Sequence, residues 1–261
     1  MRRRIDTWMP MVGALLWAGC VGQTGGTTVV FPVAAAGPAD AVAGQSLSFS
    51  SGGFDFVLTR ATLHIGAVYL DESQSVSGGQ ATGCYLTGTY VAQETASLDV
   101  DLLDPTAHRF PAPALGITDP APLVGQVWLT GGDVNEASDS TPILVLAGTA
   151  TKAGLSFPFT GTITISTNRR PSTSATGGGP ICKARIVTPI PARVALQPTG
   201  GLLLRIDPRP LFAGVDLSTL PRDPASGAVV IPDAPGQAAA QSLYGNLHST
   251  ALYTFSWTDA L

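Results

Sequence analysis

Apolar and polar residues alternate along this chain in short runs, and Gly or Pro interrupts the alternation roughly every 8–15 residues. A period of two puts successive side chains on opposite faces of a strand. Leu47 and Phe49 alternate with serines, Ser51, Gly52 and Gly53 form a turn, and Phe54, Phe56 and Leu58 alternate with Asp55, Val57 and Thr59. That stretch predicts a hairpin. Leu63, Ile65, Ala67 and Tyr69 are read as the apolar face of the next strand, with Thr62, His64, Gly66 and Val68 opposite. Leu98, Val100 and Leu102 alternate with Ser97, Asp99 and Asp101. Further strands are expected at 28–33 (Pro32 suiting an edge), 123–130, 143–149, 157–165, 181–187 and 202–206. The segment 243–257 is read as two strands, with Tyr253, Phe255 and Trp257 on one face. Residues 208–214 allow one short helical turn. Elsewhere nothing longer than about two helical turns survives the Gly and Pro punctuation, 238–243 being the least excluded.

With 30 Gly, 21 Pro and only 12% charged residues, against about 25% in an average protein, the chain is turn-rich and weakly charged. Its 44% hydrophobic content is enough to offset chain entropy in a packed core. The expected fold is all-β: an immunoglobulin-like antiparallel β-sandwich with long Pro/Gly-rich loops, forming one domain over residues 27–261.

The N-terminus is expected to be an export signal. Arg2, Arg3 and Arg4 precede an apolar stretch from Trp8 to Trp17, too short to span a bilayer, and Ala18 and Gly19 lead into Cys20. Small residues directly before a cysteine fit a bacterial lipobox, although Trp17 stands where a smaller aliphatic is usual. Residues 1–19 then form a lipoprotein signal peptide, Cys20 is the acylated residue, and 20–26 is a lipid-anchored tether. The alternative is ordinary secretion with a free Cys20. Val21 rather than aspartate after the cysteine favours the outer membrane of a diderm host, so the membrane, reached through the lipid, is the first expected partner. Loss of 1–19 removes three arginines and one aspartate, leaving the rest two charges more negative than the whole chain's −4. Such a surface lacks the clustered cations that nucleic acid requires.

Only Cys84 and Cys182 remain if Cys20 carries lipid. An even pair in an oxidising compartment reads as one disulfide; a metal site using both thiols is the alternative, and the spacing fits no zinc motif.

Catalytic motifs are missing: there is no Gly-x-Ser-x-Gly elbow, Walker loop, dinucleotide fingerprint or His-Glu-x-x-His. The three histidines fall on a strand (His64), in a Pro-rich loop (His108) and in the last hairpin (His248). They read as surface residues or, if brought together, as a ligand set. Asp133, Asn135, Glu136 and Asp139 gather oxygen donors in one loop, either solvated or a calcium site, without the spacing of an EF-hand. Asp99 and Asp101, with Asp104 nearby, are the one carboxylate pair worth testing for catalysis. Tyr85, Tyr90, Trp128, Tyr244, Tyr253 and Trp257 either pack in the core or line a carbohydrate or peptide groove.

Two segments carry a family resemblance. Residues 56–70 (Phe-Val-Leu-Thr-Arg-Ala-Thr-Leu-His-Ile-Gly-Ala-Val-Tyr-Leu) and 243–257 (Leu-Tyr-Gly-Asn-Leu-His-Ser-Thr-Ala-Leu-Tyr-Thr-Phe-Ser-Trp) resemble uncharacterised bacterial envelope lipoproteins. They are also similar to periplasmic β-sandwich proteins related to the methanobactin-associated copper-binding protein. The resemblance implies a sandwich fold in the cell envelope. Copper binding in that group would imply His, Met or modified Trp ligands, but Met1, Met9 and Met11 all lie in the signal, so no methionine follows it. No metal site is therefore assigned.

The expected function is a non-catalytic, lipid-anchored envelope protein with a structural or ligand-binding role, carrying no cofactor and contacting an envelope protein or small ligand. The alternative is a metal-binding lipoprotein of copper type, or a calcium binder, with His64, His248, Asp133 and Asp139 as candidate ligands.

Overall fold

Pro32 divides the first extended stretch into two strands that enter different sheets. Lacking an N–H, it cannot continue a ladder, and its carbonyl instead accepts from Leu202 N at 3.0 Å. The computed structural model describes residues 26–73, 89–119, 121–129, 139–165, 185–234 and 236–261. In chain order the strands are β1 (Thr28–Phe31), β2 (Val33–Ala36), β3 (Leu47–Ser51), β4 (Phe54–Ile65), β5 (Ala67–Asp71), β6 (Tyr90–Glu94), β7 (Leu98–Asp101) and β8 (His108–Arg109). They continue with β9 (Ala114–Ile117), β10 (Val124–Trp128), β11 (Asp139–Lys152), β12 (Leu155–Ile165), β13 (Ile186–Pro191), β14 (Gly201–Ile206), β15 (Val229–Ile231) and β16 (Tyr253–Thr258). One helix, α1 (Ala238–Leu247), and 3₁₀ turns at Arg209–Phe212 and Thr250–Leu252 complete the described elements.

The chain is an all-β sandwich. Sheet I runs β1-β9-β6-β5-β10-β13, sheet II runs β15-β12-β11-β4-β3 with β7 also on β4, and sheet III runs β16-β14-β2-β8. Pairing is antiparallel except between β14 and β2 and between β12 and β15, which are parallel. Inward-facing residues of all three sheets join one apolar core, among them Phe31, Phe56, Leu63, Leu70, Val127, Phe159 and Leu204. Each such side chain contributes roughly 1.5–3 kcal/mol when fully buried.

β4 joins two apolar runs that are out of phase by one residue. Phe54, Phe56 and Leu58 are buried, and so are Ala61, Leu63 and Ile65. A bulge reconciles them: Ala147 faces Arg60 while the adjacent Gly148 faces Leu58. Thr59 is the extra residue, and it and Arg60 both point to solvent. The hairpin into β4 is as expected, with Gly52 (φ 59°) and Gly53 (φ 78°) taking the two positive-φ positions between Ser51 and Phe54.

Gly66 reverses the phase again. β4 belongs to sheet II and β5 to sheet I, so the chain changes sheets at this residue, whose N–H donates to Trp128 O at 2.7 Å. Beyond it Val68 and Leu70 are buried, not the face with Tyr69 that continuous alternation implied.

The C-terminal segment also departs from the sequence reading. Residues 243–247 belong to α1 and 250–252 to a 3₁₀ turn, leaving β16 as the single strand. Ala239, Ala240, Leu243 and Leu247 form the buried face of α1, and Asn246 Nδ2 anchors it by donating to Leu211 O and Ala213 O, both at 2.8 Å. Leu243 and Leu247 stand four apart, a spacing that fits a helix; the glycines at 236 and 245 hid it.

Candidate ligand site on the outer face of sheet I

The antiparallel register of β5 and β10 sets Tyr69 opposite Gln126, Asp71 opposite Val124 and Ala67 opposite Trp128. These residues share the face of the sheet opposite Val68, Leu70 and Val127. A bulge after Leu70 brings Tyr90 of β6 opposite Asp71. The result is three aromatic rings around one carboxyl and one amide. Tyr69 lies with its ring centroid 5.4 Å from that of Tyr90 and 5.1 Å from that of Trp128.

Two hydrogen bonds fix the amide. Trp128 Nε1 donates to Gln126 Oε1 at 3.1 Å, and Gln126 Nε2 donates to Asp71 Oδ2 at 2.6 Å. Asp71 is 2% exposed and Gln126 3%, yet Asp71 Oδ1 has no hydrogen-bond partner among the described residues. A buried orphan acceptor costs about 1–3 kcal/mol, and in native proteins it is normally met by a water, an ion or a ligand. Burial pushes the Asp71 carboxyl up to about 6, against a smaller opposing pull from the Gln126 amide. Burial also raises the Tyr69 and Tyr90 phenols, the latter further through the Asp71 charge. The carboxyl can therefore hold a proton near pH 6 and donate it in a hydrogen bond, or release it and accept one. Half-buried rings beside it offer faces for stacking.

The expected candidates are distributed differently. Of the six aromatics, Tyr90 and Trp128 join this cluster. Tyr253 is buried and donates to Leu247 O at 2.8 Å, Trp257 packs edge-on against Phe31, and Tyr244 meets the His248 ring. His64 Nδ1 lies 2.7 Å from Asp99 Oδ1 across the β4–β7 pair. His108 lies in β8, not in a loop, with Nε2 3.1 Å from Asp104 Oδ2. His248 caps the C-terminus of α1, not a hairpin, and its Nδ1 lies 2.9 Å from Tyr244 O. Asp101 accepts from Leu103 N, so Asp99 and Asp101 serve separate partners. Among the described residues no group of three or more His, Cys, Asp or Glu is placed to hold a metal ion, and no helix is long and apolar enough to cross a membrane. Cys20, Cys84, Cys182, Tyr85, Asp133, Asn135 and Glu136 lie outside the described residues, and Asp139 enters only as the first position of β11.

Asp71, Gln126 and Tyr69 belong to no sequence motif that marks them as site residues. The usable signal is Gly66: a break there flips the alternation, putting Val68 and Leu70 inside and Tyr69 and Asp71 on the other face.

No protein-family model matches the chain, and no curated protein matches its sequence. Among solved structures it is similar to MbnP from Methylosinus trichosporium, at 11% identity and a TM-score of 0.41, over 88% of this chain and 98% of that chain. The similarity is structural and weak.

Proposed function

We propose that this protein is an exported, non-catalytic envelope module, anchored through a lipid on Cys20, whose sandwich binds a small ligand on the outer face of sheet I. The observation that carries the reading is Asp71 Oδ1, buried without a partner among the described residues and surrounded by Tyr69, Tyr90 and Trp128. Retaining such an atom costs stability, and a ligand bearing a hydrogen-bond donor offsets that cost. The N-terminal arginines, apolar stretch and small residues before Cys20 support export and anchoring. Three acyl chains would hold the membrane far more firmly than the marginal attachment of one.

Native mass spectrometry of protein purified from envelopes tests the ligand. Wild type is expected to carry a non-covalent small-molecule adduct that Asp71→Asn loses. Identical adduct-free spectra from both would overturn the assignment. Elemental analysis of the same sample, prepared without chelator, addresses the metal alternative, which stoichiometric copper, zinc or calcium would promote to first place. Metabolic palmitate labelling of wild type and Cys20→Ser tests the anchor. Label in wild type alone is expected; absence of label from both would sink it.

A further inference from the structure

The outer face of sheet II carries a second concavity, separate from the Asp71 cluster. It has a volume of about 400 Å³ and is lined by Arg60, Val145, Ala147, Thr160, Val230 and Asp233, with neighbours on the same strands. The size falls within the usual range for small-molecule pockets. Arg60, Ala147, Thr160 and Val230 are register partners in turn, so they form one row across β4, β11, β12 and β15. At the usual spacing between strands this row is about 14 Å long.

One end of the row is cationic and the rest is mainly apolar. The bulge at Thr59–Arg60 turns Arg60 outward, where strict alternation after Leu58 would send it into the core. Four other cations among the described residues are engaged. Lys152 lies over the Phe54 ring, Arg205 donates to Gly37 O and Pro105 O, Arg209 binds Asp207 and Asp40, and Arg222 donates to Gly227 O and Ser156 O. Arg60 has no ion pair or hydrogen bond of its side chain among the described residues. The floor is Val145 and Ala147, and Val230 at the far side is 42% exposed. The one carboxylate of the lining, Asp233, accepts from Thr164 N at 2.9 Å and Thr164 Oγ1 at 2.6 Å.

We propose that this groove binds a small aliphatic carboxylate, its carboxylate held by the Arg60 guanidinium and its hydrocarbon body lying across Ala147 and Val145 toward Val230. Guanidinium and carboxylate match as a two-pronged charge-assisted pair. The apolar floor adds affinity for the chain that a compact inorganic anion would not gain.

Calorimetric titration with octanoate tests the site, with octanol and inorganic phosphate as probes that each lack one half of the ligand. Wild type is expected to bind octanoate saturably, octanol at least about tenfold more weakly through loss of the charge-assisted contact, and phosphate at least about tenfold more weakly through loss of the hydrocarbon's contact with the floor. Arg60→Gln is expected to weaken octanoate by a similar factor with an unchanged melting temperature, because Arg60 is exposed. Ala147→Leu, which fills the floor, is expected to weaken octanoate while leaving phosphate as it was. Equal octanoate affinity in wild type and Arg60→Gln, phosphate binding as tight as octanoate, or no saturable octanoate binding would each overturn the proposal. None of these results depends on the Asp71 cluster.

Discussion

Gln126 donates to one oxygen of the Asp71 carboxyl at 2.6 Å and leaves the other buried and unmet among the described residues. Burial raises that carboxyl from 3.8 to about 6, so the native state holds its proton more tightly than the unfolded chain does. Between about pH 4 and 6 the unfolded state has lost the proton and the folded state keeps it. This group's contribution therefore falls as pH rises through that window and is flat above it. A shift of about two units corresponds to at most about 3 kcal/mol. Asp71→Asn is expected to melt higher than wild type at pH 8 and to converge with it at pH 4. A constant difference in melting temperature across that range would contradict the argument.

Gly125 of β10 packs directly under the Phe255 ring of β16, and a Cβ there would stand inside ring carbons. Since Phe255 is buried, the ring has little room to give. Gly125→Ala is expected to cost about 3 kcal/mol or more, in the upper range for core overpacking. Gly245→Ala is the counterpart: this helical glycine faces open space, and the change is expected to stabilise by about 0.5–1 kcal/mol. Denaturant midpoints of the two variants should move in opposite directions.

Arg209 binds two carboxylates at once. Its Nε lies 2.8 Å and 2.9 Å from the Asp207 oxygens, and Nη1 and Nη2 lie 2.8 Å and 3.0 Å from those of Asp40. The guanidinium beside Asp40 holds that carboxyl below its ordinary range. Lysine, a single compact charge, cannot bridge both groups in this geometry. Arg209→Lys is expected to speed amide exchange in residues 40–46 while leaving β14 protected. Unchanged exchange in that loop would show that Asp40 is not restrained by the pair.

We propose that Cys84 and Cys182 form one disulfide, by parity and by the oxidising compartment that the proposed export would give. Closing a loop of that length would contribute about 4.7 kcal/mol on the chain-entropy account, less any native strain. Reduction should lower the melting temperature, and non-reducing peptide mapping should recover the two cysteines in one linked peptide. Two free thiols would remove the pairing.

What the sequence determined by itself is the class of structure. Period-two runs such as Phe54–Phe56–Leu58 and Phe157–Phe159–Gly161–Ile163–Ile165 pack only as strands with one face inward, and the Gly and Pro between them force turns. Both runs bury their apolar members. Where a run shifts phase, local pattern no longer decides. The bulge at Thr59–Arg60 depends on β11 lying alongside, and the reversal at Gly66 depends on a second sheet being there to receive Val68 and Leu70. Leu243 and Leu247 became helical because the 3₁₀ turn at Arg209–Phe212 offers a surface for one face of α1 and carbonyls for Asn246. The Asp71 cluster is likewise tertiary. Tyr69, Asp71, Tyr90, Gln126 and Trp128 come from three strands up to 59 positions apart in the chain, and their grouping rests on a strand register that the alternation of any one segment leaves open.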